Sequence, residues 1–173
     1  MRSPRTCLRS DRENGGNCPG SAEHDFVAFF QAGEPVLHPN FTLMIKFAYT
    51  ILYVEDVEKT IDFYEKAFGF SRKFIAPGNE YGELSTGDTT LSFAAFSLVK
   101  QNLSGGFLES QAGGKPFGIE IAFAVEDVAA VFQKAVAAGA TAVEKAKVKP
   151  WGQTVAYVRD LNGFLIEICT PIE

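Results

Sequence analysis

The chain has 173 residues, of which 46% are hydrophobic, 21% charged and 13% aromatic, with a formal net charge of -5. This mixture suits a soluble globular chain and excludes collagen-like, coiled-coil and wholly disordered ones. No run approaches the roughly 18 apolar residues of a membrane-spanning helix, and the acidic balance opposes dense contact with a nucleic-acid backbone, so neither membrane nor nucleic acid is an expected partner.

Residues 1–43 hold four of the six arginines (Arg2, Arg5, Arg9 and Arg12) and none of the ten lysines. Turn formers such as Asn14-Gly15-Gly16-Asn17 and Cys18-Pro19-Gly20-Ser21 break up the segment, which reads as a disordered extension. A targeting leader is the competing reading, but Asp11, Glu13, Glu23 and Asp25 spoil the acid-poor pattern and no apolar stretch follows the arginines. Three scattered cysteines, Cys7, Cys18 and Cys169, suggest neither a disulfide framework nor a zinc cage, and a reducing cytoplasm is the expected location.

From Met44 to Glu173 the pattern changes to that of one compact domain. Ile45 to Val54 reads as a strand, rich in aromatic and β-branched residues. Asp56 can cap a helix that places Val57, Ile61, Tyr64 and Phe68 on one face, and Gly69 stops it. Three short strands follow, Ser71 to Ile75, Glu80 to Thr86 and Thr89 to Phe96, with Gly87-Asp88 at the last reversal.

Val54-Glu55-Asp56-Val57 then recurs as Val125-Glu126-Asp127-Val128, and the grammar repeats with it. Phe117 to Val125 is a strand; Asp127 caps a helix bearing Val128, Val131, Phe132 and Ala135; Gly139 stops it. The strands Thr141 to Lys145, Thr154 to Arg159 and Phe164 to Thr170 complete the copy, with Asn162-Gly163 at the last turn. The fold class is therefore α+β, two βαβββ modules, with module one at 44–98, a linker at 99–115 and module two at 116–173.

Period-two alternation assigns the faces. Ala48, Thr50, Leu52 and Val54, with Ile119, Ile121, Phe123 and Val125, share the helix side. Phe47, Tyr49, Ile51 and Tyr53 face the other way, as do Glu120, Leu165, Glu167 and Cys169. Glu120 and Glu167 thus share the non-helical side, as a pair for a hard cation or for acid and base work, or as acids hydrogen-bonded to Tyr49, Ser92 or water. Phe47, Tyr49, Tyr53 and Trp151, with Tyr81 or Phe107 folding over, could wall an apolar slot for a flat small molecule, or fill a barrel interior or dimer seam. Gly152-Gln153 offers ligand contacts or only a turn, and Cys169 is a reactive thiol or, more in keeping with its type, a small buried hydrophobe.

The opening "FAYTILYVEDVEKTIDFYEKAFGF" and the ending "PWGQTVAYVRDLNGFLIEI" resemble the vicinal oxygen chelate superfamily, the glyoxalase, bleomycin-resistance and dioxygenase group. The resemblance spans residues 44–172. It implies that each module curls its strands into a half-barrel, that the curled mixed sheets bound a cleft, and that the chain forms a homodimer. In metal-dependent members, four positions on the first and last strands of the modules hold a divalent ion, and here they fall at Tyr49, near Ser92, at Glu120 and at Glu167. Glu167 alone matches the usual ligand type. Glu120 could join it on a Mg, Mn or Fe ion, whereas Tyr49 is a poor ligand because its phenol ionises near pH 10, and the strand Thr89 to Phe96 offers no Asp, Glu or His.

The favoured expectation is a small-molecule binder that needs no turnover, holding its ligand with Phe47, Tyr49, Ser92, Trp151 and Gln153. The alternative is a divalent-metal-dependent lyase, transferase or dioxygenase-type enzyme with Glu120 and Glu167 as catalytic and metal-binding groups. Glyoxalase I activity itself fits poorly with Tyr49 and Ser92 at two ligand positions.

Overall fold

The computed structural model describes residues 45–172, so the expected extension over 1–43 lies outside the described residues. Module one runs β1 (Tyr49–Val54), α1 (Val57–Phe68), β2 (Ser71–Ile75), β3 (Tyr81–Ser85) and β4 (Thr90–Ala95), followed by a short helix α2 (Phe96–Asn102). Module two runs β5 (Glu120–Ala124), α3 (Val128–Ala137), β6 (Thr141–Val148), β7 (Thr154–Arg159) and β8 (Leu165–Cys169). Each module is a four-stranded mixed sheet, ordered β1-β4-β3-β2 and β5-β8-β7-β6. The first strand lies parallel to the last and the remaining neighbours are antiparallel. This is the expected pair of βαβββ modules.

The helices begin and end where their residues dictate. Asp56 accepts from the Lys59 N–H at 2.9 Å and Asp127 from the Ala130 N–H at 2.9 Å, each satisfying a donor that the first helical turn leaves free. Gly69 closes α1 in the left-handed conformation, φ 80°, where a Cβ would be strained. The outer strands are shorter at their starts than the sequence suggests. Residues 45–48 and 117–119 lie outside β1 and β5, and Phe96 opens α2 rather than ending β4.

The core lies between sheets and helices. Tyr64, Phe93, Ile61, Leu84, Ile166, Ile168, Val54, Val57 and Val158 are its largest fully buried apolar side chains. Leu52 and Val54 are buried and Thr50, Ile121, Phe123 and Val125 half-buried, in line with the helix-side assignment, but Ile119 is 62% exposed because it precedes the first sheet pairing of β5.

Aromatic packing and buried hydrogen bonds bind the modules. Phe123 of β5 meets Phe68 and Phe70 edge-on, each at 4.9 Å between ring centroids. Tyr64 of α1 donates to the buried Asp160 at 3.1 Å, and Asn162 donates through Nδ2 to Thr60 Oγ1 at 3.0 Å. Arg159 fastens the linker, donating to the carbonyls of Gly163 (2.9 Å), Gln111 (2.6 Å) and Gly114. Phe107 in that linker stacks edge-on against Tyr53 at 5.1 Å and against Phe96, covering one end of the non-helical face of module one.

Candidate functional site

Register places the candidate residues in rows. On module two, Ala122 pairs with Glu167 and Glu167 with Tyr157, and Glu120 pairs with Leu165, all on the face away from α3. Tyr157 donates to Glu167 Oε2 at 2.6 Å. That bond, with burial, pushes the Tyr157 phenol up to about 12. Glu120 is held above the ordinary carboxylate range by burial and then by the Glu167 charge, so the two carboxylates expected to share this face act on each other. Lys149 lies 5.6 Å above the ring of Tyr157, which donates to Glu167.

Cys169 ends the same row as a buried residue, its thiol pushed up by burial and then by Glu167, and its Sγ is 3.8 Å from the Phe123 carbonyl. A thiol held neutral in this way is a weak nucleophile. Trp151 stands 66% exposed at the turn before β7. Its indole N–H donates to Gln153 Oε1 at 2.8 Å, and Gln153 Nε2 donates to the Thr170 carbonyl at 2.7 Å. Both ends of the Gln153 amide are therefore engaged in holding Trp151.

On module one, Ile51 pairs with Ser92 and Ser92 with Glu83, on the face away from α1. Alternation on β1 and β4 points to Tyr49 and Ser92 but not to Glu83, which is only 6% exposed. Its two oxygens are each engaged: Lys73 donates to Oε2 at 2.7 Å and Tyr81 to Oε1 at 3.0 Å. Lys73 reaches it through an irregularity in the β2-β3 register between Arg72 and Phe74. Burial pushes the Tyr81 phenol up to about 12, Ser92 pulling slightly against it. The signal in the sequence was the alternation Tyr81-Gly82-Glu83-Leu84 on β3; nothing in it announced the bulge.

Tyr49, at the start of β1, stands beside this group, and Phe47 just before it is 71% exposed. The predicted residues therefore fall into two clusters, one per sheet: Phe47, Tyr49 and Ser92 on the first, Glu120, Glu167, Trp151 and Gln153 on the second. A groove of about 310 Å³, lined by Thr50, Phe70, Thr90, Leu91, Ile121 and Phe123, involves β1 and β5, and none of the predicted site residues lines it.

As a metal centre the donor set falls short. Glu120 and Glu167 supply two carboxylates, Tyr49 and Ser92 supply weak ligands, and no group of three His, Cys, Asp or Glu that could hold an ion occurs among the described residues. Also among the described residues, no helix is long and apolar enough to cross a membrane.

Two βαβββ modules, each a four-stranded mixed sheet, define an α+β chain of the kind the sequence motifs suggested. Residues 46–168 match the model of the Glyoxalase/Bleomycin resistance protein/Dioxygenase superfamily, and the chain belongs to that superfamily. No curated protein matches it. Among solved structures it is similar to a glyoxalase-related enzyme from Fulvimarina pelagi, at 23% identity and TM-score 0.63, covering 74% of this chain and 89% of that one. It is also similar to TioX from Micromonospora sp. ML1, at 26% identity and TM-score 0.55, covering 73% and 99%. A third likeness is to a glyoxalase/bleomycin resistance protein/dioxygenase family enzyme from Burkholderia phytofirmans PsJN, at 20% identity and TM-score 0.60, covering 74% and 100%.

Proposed function

We propose that this protein binds a small, largely apolar organic molecule on its non-helical sheet faces and does so without needing turnover. The observation that carries the reading is the set of large side chains left exposed: Phe47, Tyr49 and Ile51 on module one and Trp151 at the turn before β7 on module two. Apolar surface gathered on one side of a folded sheet, next to a few polar groups, is the composition of a ligand-binding wall. The same exposure argues for a homodimer, in which two copies of the chain shield these faces from water and enclose the ligand.

Trp151 is the single tryptophan of the chain, so its emission reports this surface directly. Titration of the full chain with prodan, a flat neutral naphthalene dye, should give saturable binding with energy transfer from Trp151. Ile51→Glu and Tyr49→Ala should each weaken it severalfold, and sedimentation velocity of the same sample should show a dimer. A linear, unsaturable response, or one indifferent to both substitutions, would remove the binding reading.

A further inference from the structure

The group Lys73, Tyr81, Glu83 and Ser92 lies on strands β2, β3 and β4, and no expectation from the sequence assembled it. Three properties set it apart from the carboxylate pair of module two. It is formally neutral, one ammonium against one carboxylate held 2.7 Å apart. Its carboxylate is almost fully buried, whereas half of the Lys73 side chain remains open to solvent. And Ser92 Oγ, at zero exposure, is the buried side-chain polar atom without a hydrogen-bond partner among the described residues. A buried hydroxyl left unpaired is costly, and native structures keep such groups rarely.

We propose that this group is a binding site for an uncharged donor-acceptor function of the ligand, a carboxamide or lactam. The charges select it. A ligand carboxylate drawn to Lys73 meets Glu83 on the same ammonium, and a ligand ammonium drawn to Glu83 meets Lys73, so each ionic head group gains one contact against one repulsion. A carboxamide meets neither. Its carbonyl accepts from one of the Lys73 N–H groups not used by Glu83, and its N–H donates to Glu83 Oε1.

Taking Glu83 Oε1 displaces the Tyr81 hydroxyl, and Ser92 gives that hydroxyl a new partner. Ser92 pairs with Glu83 across the β3-β4 register and Tyr81 lies two residues along β3 from Glu83, so the two hydroxyls belong to the same face. On binding, Tyr81 exchanges Glu83 for Ser92, the orphan hydroxyl is satisfied, and no bond is lost inside the protein. Tyr49, beside Lys73 and Tyr81, offers the apolar remainder of the ligand a surface. The inference rests on the binding reading for that surface, and on the polar group alone for the choice of head group.

The test uses three probes with one ring and different head groups: benzamide, benzoate and benzylammonium. The full chain is labelled with ring-¹³C tyrosine, whose five residues give five assignable signals. Benzamide should shift the Tyr81 signal saturably, with Glu83→Gln weakening it about tenfold or more and Ser92→Ala about fivefold, as expected for loss of a charged and a neutral hydrogen bond. Benzoate and benzylammonium should leave Tyr81 unmoved. Unchanged Tyr64 and Tyr157 signals verify that each variant is folded. A Tyr81 response that is absent, equal for the three probes, or indifferent to both substitutions overturns the proposal. If prodan still binds when benzamide does not, the head-group inference alone falls; if neither binds, the binding reading falls with it.

Discussion

The ending R-D-x-x-G-x-x-I-E carries much of the family resemblance, and it contributes Glu167 to the candidate site while Arg159 and Asp160 at its head serve the frame. Asp160 accepts from the N–H groups of Asn162 (3.0 Å) and Phe164 (2.8 Å) and from Tyr64, while Arg159 spends its guanidinium on the Gly163 carbonyl of the β7-β8 turn and on the linker carbonyls of Gln111 and Gly114. The head of the motif is architecture, and the chemistry lies on Glu167 and on alternate residues of the neighbouring strands. Among these, Glu120 gives a prediction with a definite sign. Burial and then Glu167 raise its pKa in the folded state, so folding disfavours its charged form. Stability from this group is therefore fully present below the unfolded-state pKa, about 4.3, and is lost as pH rises through the folded value. Glu120→Gln removes that loss. Thermal melts should show a higher midpoint than wild type at pH 7 and no difference near pH 3. In a Glu167→Gln background the gain at pH 7 should shrink, because the second cause of the shift is gone. A midpoint lowered at pH 7 would show that Glu120 has a stabilising partner instead.

At the scale of elements, what was legible in the sequence was what local chemistry decides. Asp56, Gly69 and Asp127 mark helix ends by capping and by left-handed geometry, and the paired Gly87-Asp88 and Asn162-Gly163 turns reverse the final strands of the modules. What escaped was decided by packing. Nothing in Phe96–Asn102 differs in pattern from a strand end and a loop, and it becomes α2 where Phe96 and Phe107 stack over Tyr53. Lys73 meets Glu83 where the β2-β3 register shifts between Arg72 and Phe74, an irregularity that strand alternation does not announce. Gly82 is a further case: a Cβ there would lie 2.6 Å from Ile61 Cδ1, so the glycine lets α1 settle onto β3. The repeated caps can be compared directly. Asp56→Ala and Asp127→Ala should each cost about 1 kcal/mol, read as lower urea midpoints with unchanged slopes. A cost confined to one of them would mean that the other helix is positioned by packing alone.

At the scale of the whole molecule, the two modules are joined through buried polar groups as well as through the Phe68-Phe70-Phe123 cluster. Asp160 is 1% exposed, and burial raises its pKa, with the bonds from Phe164, Tyr64 and Asn162 opposing that rise. Tyr64→Phe would remove a donor from this carboxylate without opening a cavity, leaving Asp160 Oδ2 short of its partner across the module boundary. The expected cost is about 1–3 kcal/mol at pH 7, the usual penalty for an unsatisfied buried acceptor. Its pH dependence follows from linkage: without Tyr64 the folded-state pKa of Asp160 rises further, so the deficit is largest where the carboxylate is charged and narrows as falling pH protonates it. Because the aromatic cluster persists, the variant should still unfold in one transition, with far-ultraviolet and near-ultraviolet dichroism coincident in urea. Separation of the two signals would show that the Tyr64-Asp160 bond, more than the aromatic packing, makes the two modules unfold as one.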